Sequence, residues 1–577
     1  MTEAGIPPDV ARGRRDSGFG IRIKDAGDAA VLLELEAIID PQVNARAVAI
    51  AAFVRSRQIE GVRDVVPTFR SVAVHFDPLL TDVEAVRAAL RDGDATPAAD
   101  AAGTLVEVPV AYGGEDGPDL RDVASFAGAS EQAVIDRHTA REYRVFMLGF
   151  MPGFAYMGTV DDSIAAPRRS TPRTKVPAGS VGIAGKQTGI YPRVSPGGWQ
   201  VIGRTALRVF DANRTPPALF APGDRVRFVA VSGTRDSGFG IRTAEALHVE
   251  PRTPNPGSRQ ITILRPGLLT TIQDPGRWGH QDRGVPVAGP MDAVSHRLAN
   301  ALVGNDPRAA ALEVTLLGPE IRIEAPTTVA VAGADLSATI DGAPMPINTP
   351  RHCAAGTTLR FGPRSAGARA YVAFDGGIDV PLSLGSRATH LVSGLGGIDG
   401  RALKAGDCLA LSASRLARSS TPWRTPSWRA QEPSAGARLR VLPGPQHDQF
   451  DDHALDALQQ TRFIISPQSD RMGYRLIGGS EKPAPPIAWR PGPFAPGEMI
   501  SDATFIGGIQ VPPSGDPILL MADRQTTGGY PQIATVISAD LPKAGQLAPG
   551  EWIEFAVCTR ADAILALREQ DEALRGI

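Results

Sequence analysis

Phe220-Ala221-Pro222-Gly223-Asp224-Arg225-Val226-Arg227-Phe228 and Leu547-Ala548-Pro549-Gly550-Glu551-Trp552-Ile553-Glu554-Phe555 share one plan: a Pro-Gly-acid turn feeding an alternating strand. A second element precedes each. Val176-Pro177 is followed by Gln187-Thr188-Gly189-Ile190-Tyr191-Pro192, and Val511-Pro512-Pro513 by Gln525-Thr526-Thr527-Gly528-Gly529-Tyr530-Pro531. The order matches, although 35 residues separate Gln187 from Pro222 and 24 separate Gln525 from Pro549. A turn requirement alone can generate Pro-Gly-acid. The Gln-Thr to Tyr-Pro element therefore carries the inference of two related barrels, one per lobe.

Composition agrees with a β-rich chain. Gly (62) and Pro (50) are abundant in 577 residues, lack a collagen period and interleave with Val, Ile, Leu and Phe, as short strands and tight turns require. A chain of this length buries cores without disulfides or metals. Its three cysteines, Cys353, Cys408 and Cys558, lie far apart with no C-x-x-C, which fits a reducing compartment. A net charge of −2 removes the broad positive field that non-specific nucleic-acid binding needs. No secretory h-region and no membrane-spanning apolar run is visible, so the expectation is a soluble, cytoplasmic protein without nucleic-acid or membrane partners.

The octapeptide Arg15-Asp16-Ser17-Gly18-Phe19-Gly20-Ile21-Arg22 recurs identically at Arg235–Arg242, bracketing one folded unit. A proline-rich connector follows, and the main boundary is expected there. The expected divisions are a first lobe at 20–245, a linker at 246–258 and a second lobe at 259–577. The first lobe comprises a small α/β unit (20–95) and a barrel (104–230), separated by an alanine-rich joint. The second comprises β subdomains at 259–413 and 437–560, separated by a polar, Trp/Pro-rich joint from Ser414 to Gly436. Helices are expected at Ala45–Arg55, Val83–Leu90, Leu120–Ala127, Ser130–His138 and Met291–Val303.

Several chemistries are absent. There is no H-E-x-x-H, EF-hand loop or strand-bound G-x-G-x-x-G. Ala184-Gly185-Lys186-Gln187-Thr188 fails as a P-loop because Gln187 separates the lysine from the hydroxyl and the earlier Gly179 is one position too far. No Met-Lys-Met biotin turn, G-x-S-x-G elbow or Gly-Ser-Ser-Gly amidase core occurs, so no covalent biotin is expected on this chain.

Four segments carry candidate chemistry. Gly149, Gly153 and Gly158 permit close backbone approach, while Phe154 and Tyr156 offer an apolar wall with a polar tip. Arg168, Arg169, Arg173 and Lys175 crowd between prolines and suit a carboxylate or phosphate. Asp292 and His296 fall on one helix face, either as an orienting carboxylate and base or as a helix-end carboxylate and a buried histidine. Asp523, Arg524, Gln525, Thr526 and Tyr530 collect a carboxylate, guanidinium, amide and hydroxyls in one turn-rich stretch. Gln187 and Thr188, the first-lobe counterpart of Gln525 and Thr526, join the substrate-binding candidates.

These residues also carry a family resemblance. Tyr112–Leu120 (Y-G-G-E-x-G-P-D-L), Gly149–Tyr156 (G-F-x-P-G-F-A-Y), the P-R-x-x-x-P-R-x-x-V-P-A-G-S-V-G-I-A-G run from Pro167 and the S-P-G-G-W run from Ser195 resemble the B component of bacterial 5-oxoprolinase. That family also contains the sporulation kinase inhibitor, and the resemblance extends to the KipI and KipA pair. Q-D-x-G-R-x-G, G-P-M-D, S-H-R-L-A-N-x-L-V-G-N and A-D-R-Q-T-T-G-G-Y-P resemble the C component. Residues 20 to 560 thus look like a B–C fusion, similar also to the carboxyltransferase portion of urea carboxylase.

The resemblance implies a mainly β fold with α+β parts, in two lobes that each hold a cyclophilin-like barrel and a smaller subdomain. It implies an ATP- and Mg²⁺-using amidohydrolase component that phosphorylates the lactam of 5-oxoproline, and a separate LamB/YcsF-type 5-oxoprolinase component that opens the ring to L-glutamate. Without that partner the chain is expected to be inactive in ring opening. Arg168, Arg173, Asp523 and Arg524 are the expected participants. The same resemblance admits biotin-dependent carboxyl transfer to urea or another amide, and a non-enzymatic histidine-kinase inhibitor. The two allophanate hydrolase subunits also look similar, but the missing amidase core argues against that hydrolysis.

Overall fold

A four-stranded antiparallel sheet begins the computed structural model, which describes residues 20–95, 103–231, 259–413, 435–478, 487–492 and 495–575. The sheet runs in the order Arg22–Asp25, Ala30–Glu34, Ser71–Phe76, Val62–Pro67. Helices Pro41–Ser56 and Val83–Ala95 cover it, burying Ala47, Ile50, Val54, Val86 and Leu90 against Val31, Leu33, Val72 and Val74. Asp40 caps the first helix through the Gln42 and Val43 N–H groups, and Pro41 sits where no donor is needed. The second octapeptide copy, most of the first, the connector and most of both joints lie outside the described residues.

The first closed barrel has seven strands. In chain order they are Leu105–Tyr112, Glu142–Leu148, Ala155–Gly158, Ser180–Ala184, Gln187–Ile190, Gln200–Arg204 and Arg225–Ala230. Helices Leu120–Phe126 and Glu131–Thr139 contribute Leu120, Val123 and Val134 to its core. Ser130 caps the latter by accepting from Ala133 N at 3.1 Å.

The second closed barrel uses Gly436–Pro443, Phe463–Ile465, Gly473–Gly478, Gly508–Gln510, Ile518–Leu520, Gln532–Val536 and Trp552–Val557. With strands numbered in chain order within each barrel, both close as 1-6-4-5-3-2-7. Both also join their first and last strands in parallel, Leu105–Val110 with Arg225–Ala230 and Gly436–Val441 with Trp552–Val557. The Pro-Gly turn precedes this closing strand in each barrel, so the repeat is structural.

The Gln-Thr element does not align. Gln187–Ile190 is itself the fifth strand, whereas Gln525 and Thr526 lie beyond the fifth strand, Ile518–Leu520. The matching positions are the ribbons Arg173–Val176 with Ser195–Gly197 and Asp502–Ala503 with Thr527–Gly528. Ser195-Pro196-Gly197-Gly198-Trp199 is thus the counterpart of Thr526-Thr527-Gly528-Gly529-Tyr530. Similar polar dipeptides in adjacent segments produce the false match in sequence.

Residues 259–413 form a seven-stranded and a five-stranded sheet enclosing a core of Ile261, Ile263, Ile272, Leu312, Val314 and Val372. Helix Ala293–Leu302 packs Val294, Leu298 and Leu302 against Ala330, Ala332 and Tyr371 of the five-stranded sheet. No helix among the described residues is long and apolar enough to cross a membrane.

Candidate functional site

The two lobes meet where their glycine-rich loops interlock. Phe150, at φ +64°, donates its N–H to Thr527 Oγ1 at 3.1 Å, and Gly153 N donates to Arg283 O at 2.9 Å. A β-carbon on Gly149 would collide with Thr527 Oγ1, and one on Gly284 with Met151 O. The close approach expected of this loop is therefore made to the opposite lobe.

Behind it stands an edge-to-face aromatic cluster. Phe154 lies 4.9 Å from Tyr156, 5.4 Å from Tyr191 and 5.3 Å from Trp199 between ring centroids. Ile500 of the second lobe packs on it. Burial pushes the Tyr156 phenol up to about 12 against the pull of Arg168 and a hydrogen bond with Thr527, so it is a neutral hydrogen-bonding group at physiological pH. Arg168 and Lys175 are exposed and, among the described residues, make no hydrogen bond or ion pair.

The Asp523–Tyr530 stretch runs along the same boundary, but its first two residues face different partners. Asp523 accepts from Arg471 Nε at 3.0 Å and Nη2 at 2.9 Å. Arg471 also reaches Gly289 O at 2.7 Å and pairs with Glu313, which accepts from Met291 N and the Tyr371 hydroxyl. Burial opposes the Arg471 charge, yet Asp523 and Glu313 together raise its pKa above the ordinary value. Asp523 is thus committed to a buried ion network and is not a poised base.

Arg524 instead connects to the first lobe through a bridging amide. Its Nη2 donates to Gln281 Oε1 at 2.8 Å, and Gln281 Nε2 donates to Asp64 at 3.1 Å. Asp64 also accepts from Gly279 N and Gln281 N. Burial pushes Arg524 down to about 10 and Asp64 up to about 6. Arg524 Nε and Thr526 Oγ1 are buried with no hydrogen-bond partner among the described residues.

Three sequence expectations are corrected. Asp292 and His296 are no dyad: Asp292 is the helix N-cap, bound to Ser295 and to Gln546 Nε2, while His296 Nε2 faces Gln273 O at 3.1 Å. Burial lowers the His296 pKa. Arg173 is not an open anion ligand, because its guanidinium holds Asp119 with two 2.7 Å bonds. Gln187 and Thr188 belong to a barrel strand, and buried Thr188 bonds His138 and Gly182 O. Tyr530, 41% exposed, and half-buried Gln525, whose carbonyl accepts from Thr504, are placed by the fold without being committed to a partner that contradicts the expectation.

Phe154, Tyr156, Thr526 and Arg524 do converge on the lobe boundary. Asp64, Asp119, Gln281, Glu313 and Arg471 escape sequence reasoning. Asp119 lies inside a quoted motif, but the others carry no local pattern and acquire partners only through the fold.

Two same-topology barrels with paired ribbons, docked through glycine-rich loops of opposite lobes, define a carboxyltransferase-type barrel pair. Residues 21–220 match the family model "Carboxyltransferase domain, subdomain C and D", and 283–557 match "Carboxyltransferase domain, subdomain A and B". The chain belongs to this carboxyltransferase-domain family, in the form of fused counterparts of the B and C components of 5-oxoprolinase. Its second lobe is 38% identical to the 5-oxoprolinase C component of Escherichia coli over 311 residues, covering 54% of this chain and 95% of that protein. Its first lobe is 42% identical to the 5-oxoprolinase B component of Bacillus subtilis over 223 residues, covering 37% and 93%. Urea amidolyase of Lachancea kluyveri is 36% identical over 326 residues, 54% of this chain but 18% of that protein. The crystal structure of TTHA0988 superposes with a TM-score of 0.77 at 36% identity, covering 91% of this chain and 99% of that one.

Proposed function

We propose that the chain is the nucleotide-using component of a 5-oxoprolinase. The observation that carries this reading is the pairing in one polypeptide of near-complete counterparts of the B and C components. An amide is a poor electrophile. Attack of the lactam oxygen on the ATP γ-phosphorus forms an O–P bond, releases ADP and leaves an activated, imidate-like carbon. Water addition and C–N cleavage by a separate LamB/YcsF-type component then give γ-glutamyl phosphate, and a second water cleaves its acyl-phosphate bond to release phosphate and L-glutamate.

Phosphoryl transfer needs positioning and charge stabilisation above all. Arg168 and Lys175 are free cations suited to the substrate carboxylate, Tyr156 supplies a neutral hydroxyl, and Arg524 supplies a buried positive charge at the junction. Mg²⁺ would enter with the nucleotide and be held mainly by phosphates and water.

Purified chain mixed with the LamB/YcsF-type partner should form glutamate from 5-oxoproline only when ATP and Mg²⁺ are both present. A second reading, carboxyl transfer to urea or another amide, draws support from the family model and the urea amidolyase likeness. No glutamate, together with urea-stimulated CO₂ release from free carboxybiotin, would favour that reading.

A further inference from the structure

The loop Ser393–Gly400 of the second lobe reads S-G-L-G-G-I-D-G and closes on itself through the Gly400 N to Gly396 O bond. Two guanidinium groups crowd it. A β-carbon on Gly394 (φ +61°) would sit 3.2 Å from Nη2 of Arg193, a residue of the first lobe. One on Gly396 (φ +67°) would sit 2.7 Å from Nη2 of Arg277. The left-handed φ at both positions, and at Gly396 the Ala388 carbonyl with which a β-carbon would collide, favour glycine where the two cations approach the loop backbone.

Neither guanidinium has a salt-bridge partner among the described residues. Arg193 is half-buried and makes no hydrogen bond or ion pair among the described residues. Arg277 is 1% exposed; among the described residues its guanidinium hydrogen-bonds the carbonyls of Ser383 and Ala388 and leaves Nη1 without a partner. The nearby carboxylates are occupied: Asp274 accepts from Ser386 and the Arg387 and Gly276 N–H groups, and Asp523 is held by Arg471. Burial lowers the pKa of both arginines; at Arg277 the charges of Asp274 and Asp523 oppose the shift without cancelling it. Two guanidiniums, one of them fully buried, beside the glycine positions Gly394 and Gly396 are suited to bidentate phosphate recognition.

We infer that the Ser393–Gly400 loop, with Arg193 from one lobe and Arg277 from the other, is a phosphate-binding site for the nucleoside triphosphate. The nucleotide assignment rests on the 5-oxoprolinase reading; the anion site does not.

The test is calorimetric titration of the full chain with Mg·AMP-PNP and, separately, with inorganic tripolyphosphate. Arg193→Ala should weaken both at least ~10-fold and Arg193→Lys by less, as expected on losing a bidentate anion contact. The urea midpoint should not move. Binding of either probe that stays within about twofold in Arg193→Ala, or wild-type chain that binds neither probe, overturns the site. Tripolyphosphate binding that depends on Arg193 while AMP-PNP fails to bind keeps the anion site and removes the nucleotide reading.

Discussion

Arg168 and Arg173 stand five positions apart in one cationic motif, yet only Arg168 is available to a ligand. The difference comes from Asp119, a buried carboxylate that takes Arg173, Arg169 and the Val201 N–H. Removing Arg173 strips two charge-assisted bonds from Asp119, so Arg173→Ala should cost roughly 1–3 kcal/mol in urea unfolding. Arg168→Ala should leave that midpoint within about 0.5 kcal/mol, as surface substitutions usually do. It should instead raise the KM for 5-oxoproline in ATP hydrolysis severalfold. The reverse pattern would exchange the roles of the two residues. The sequence displays the cations but not their counter-ion, which lies 50 residues upstream of Arg169. His296 is obscured in the same way. Its spacing from Asp292 is that of neighbours on one helix face, but a cap residue turns its carboxylate toward the N–H groups of the first turn.

Within the elements, hydrophobic alternation and turn chemistry make the barrels legible, while the buried polar contacts inside them are not. In the first barrel, helix Glu131–Thr139 delivers His138 to the core, where it stacks on Phe228 at 4.6 Å. Thr188 Oγ1 donates to Gly182 O, so His138 Nε2 donates to Thr188 and Nδ1 accepts from the Tyr112 hydroxyl at 2.8 Å. That arrangement requires a neutral ring, and burial pushes its pKa down to about 3. The folded chain therefore binds fewer protons than the unfolded chain below the ordinary histidine pKa. Its stabilising contribution is complete above about pH 6.5 and is lost as pH falls toward 3, amounting to about 2 kcal/mol by pH 5. Urea midpoints measured from pH 7 to pH 5 should fall, and His138→Gln should fall less steeply while starting lower. An unchanged slope would show that this histidine does not titrate with unfolding.

At the scale of the whole molecule, the lobes are held together by more than a covalent join. Gly149 packs on Thr527, Asp64 binds the Gly279–Gln281 backbone, Asp28 accepts from Ser538, and Lys24 pairs with Asp448. None of these pairs is close in sequence, which is why the two barrels are readable there and their docking is not. The relatives of the two lobes match as separate proteins, so the interface itself should suffice for assembly. Residues 1–245 and 246–577 produced as two chains should co-elute as a one-to-one complex. Gly149 offers a test of where they dock. It lacks a left-handed φ, so Gly149→Ala imposes no backbone penalty and probes only the collision with Thr527. Overpacking of this kind costs roughly 1–3 kcal/mol. The dissociation constant of the two chains should therefore rise about 10- to 100-fold, with the unfolding midpoint of the isolated first lobe unchanged. Thr527→Ala removes the two nearest opposing atoms but also the hydroxyl that receives the Phe150 N–H, so it should recover only part of the lost affinity. A Gly149→Ala chain that binds as tightly as the parent would place the docking contact elsewhere.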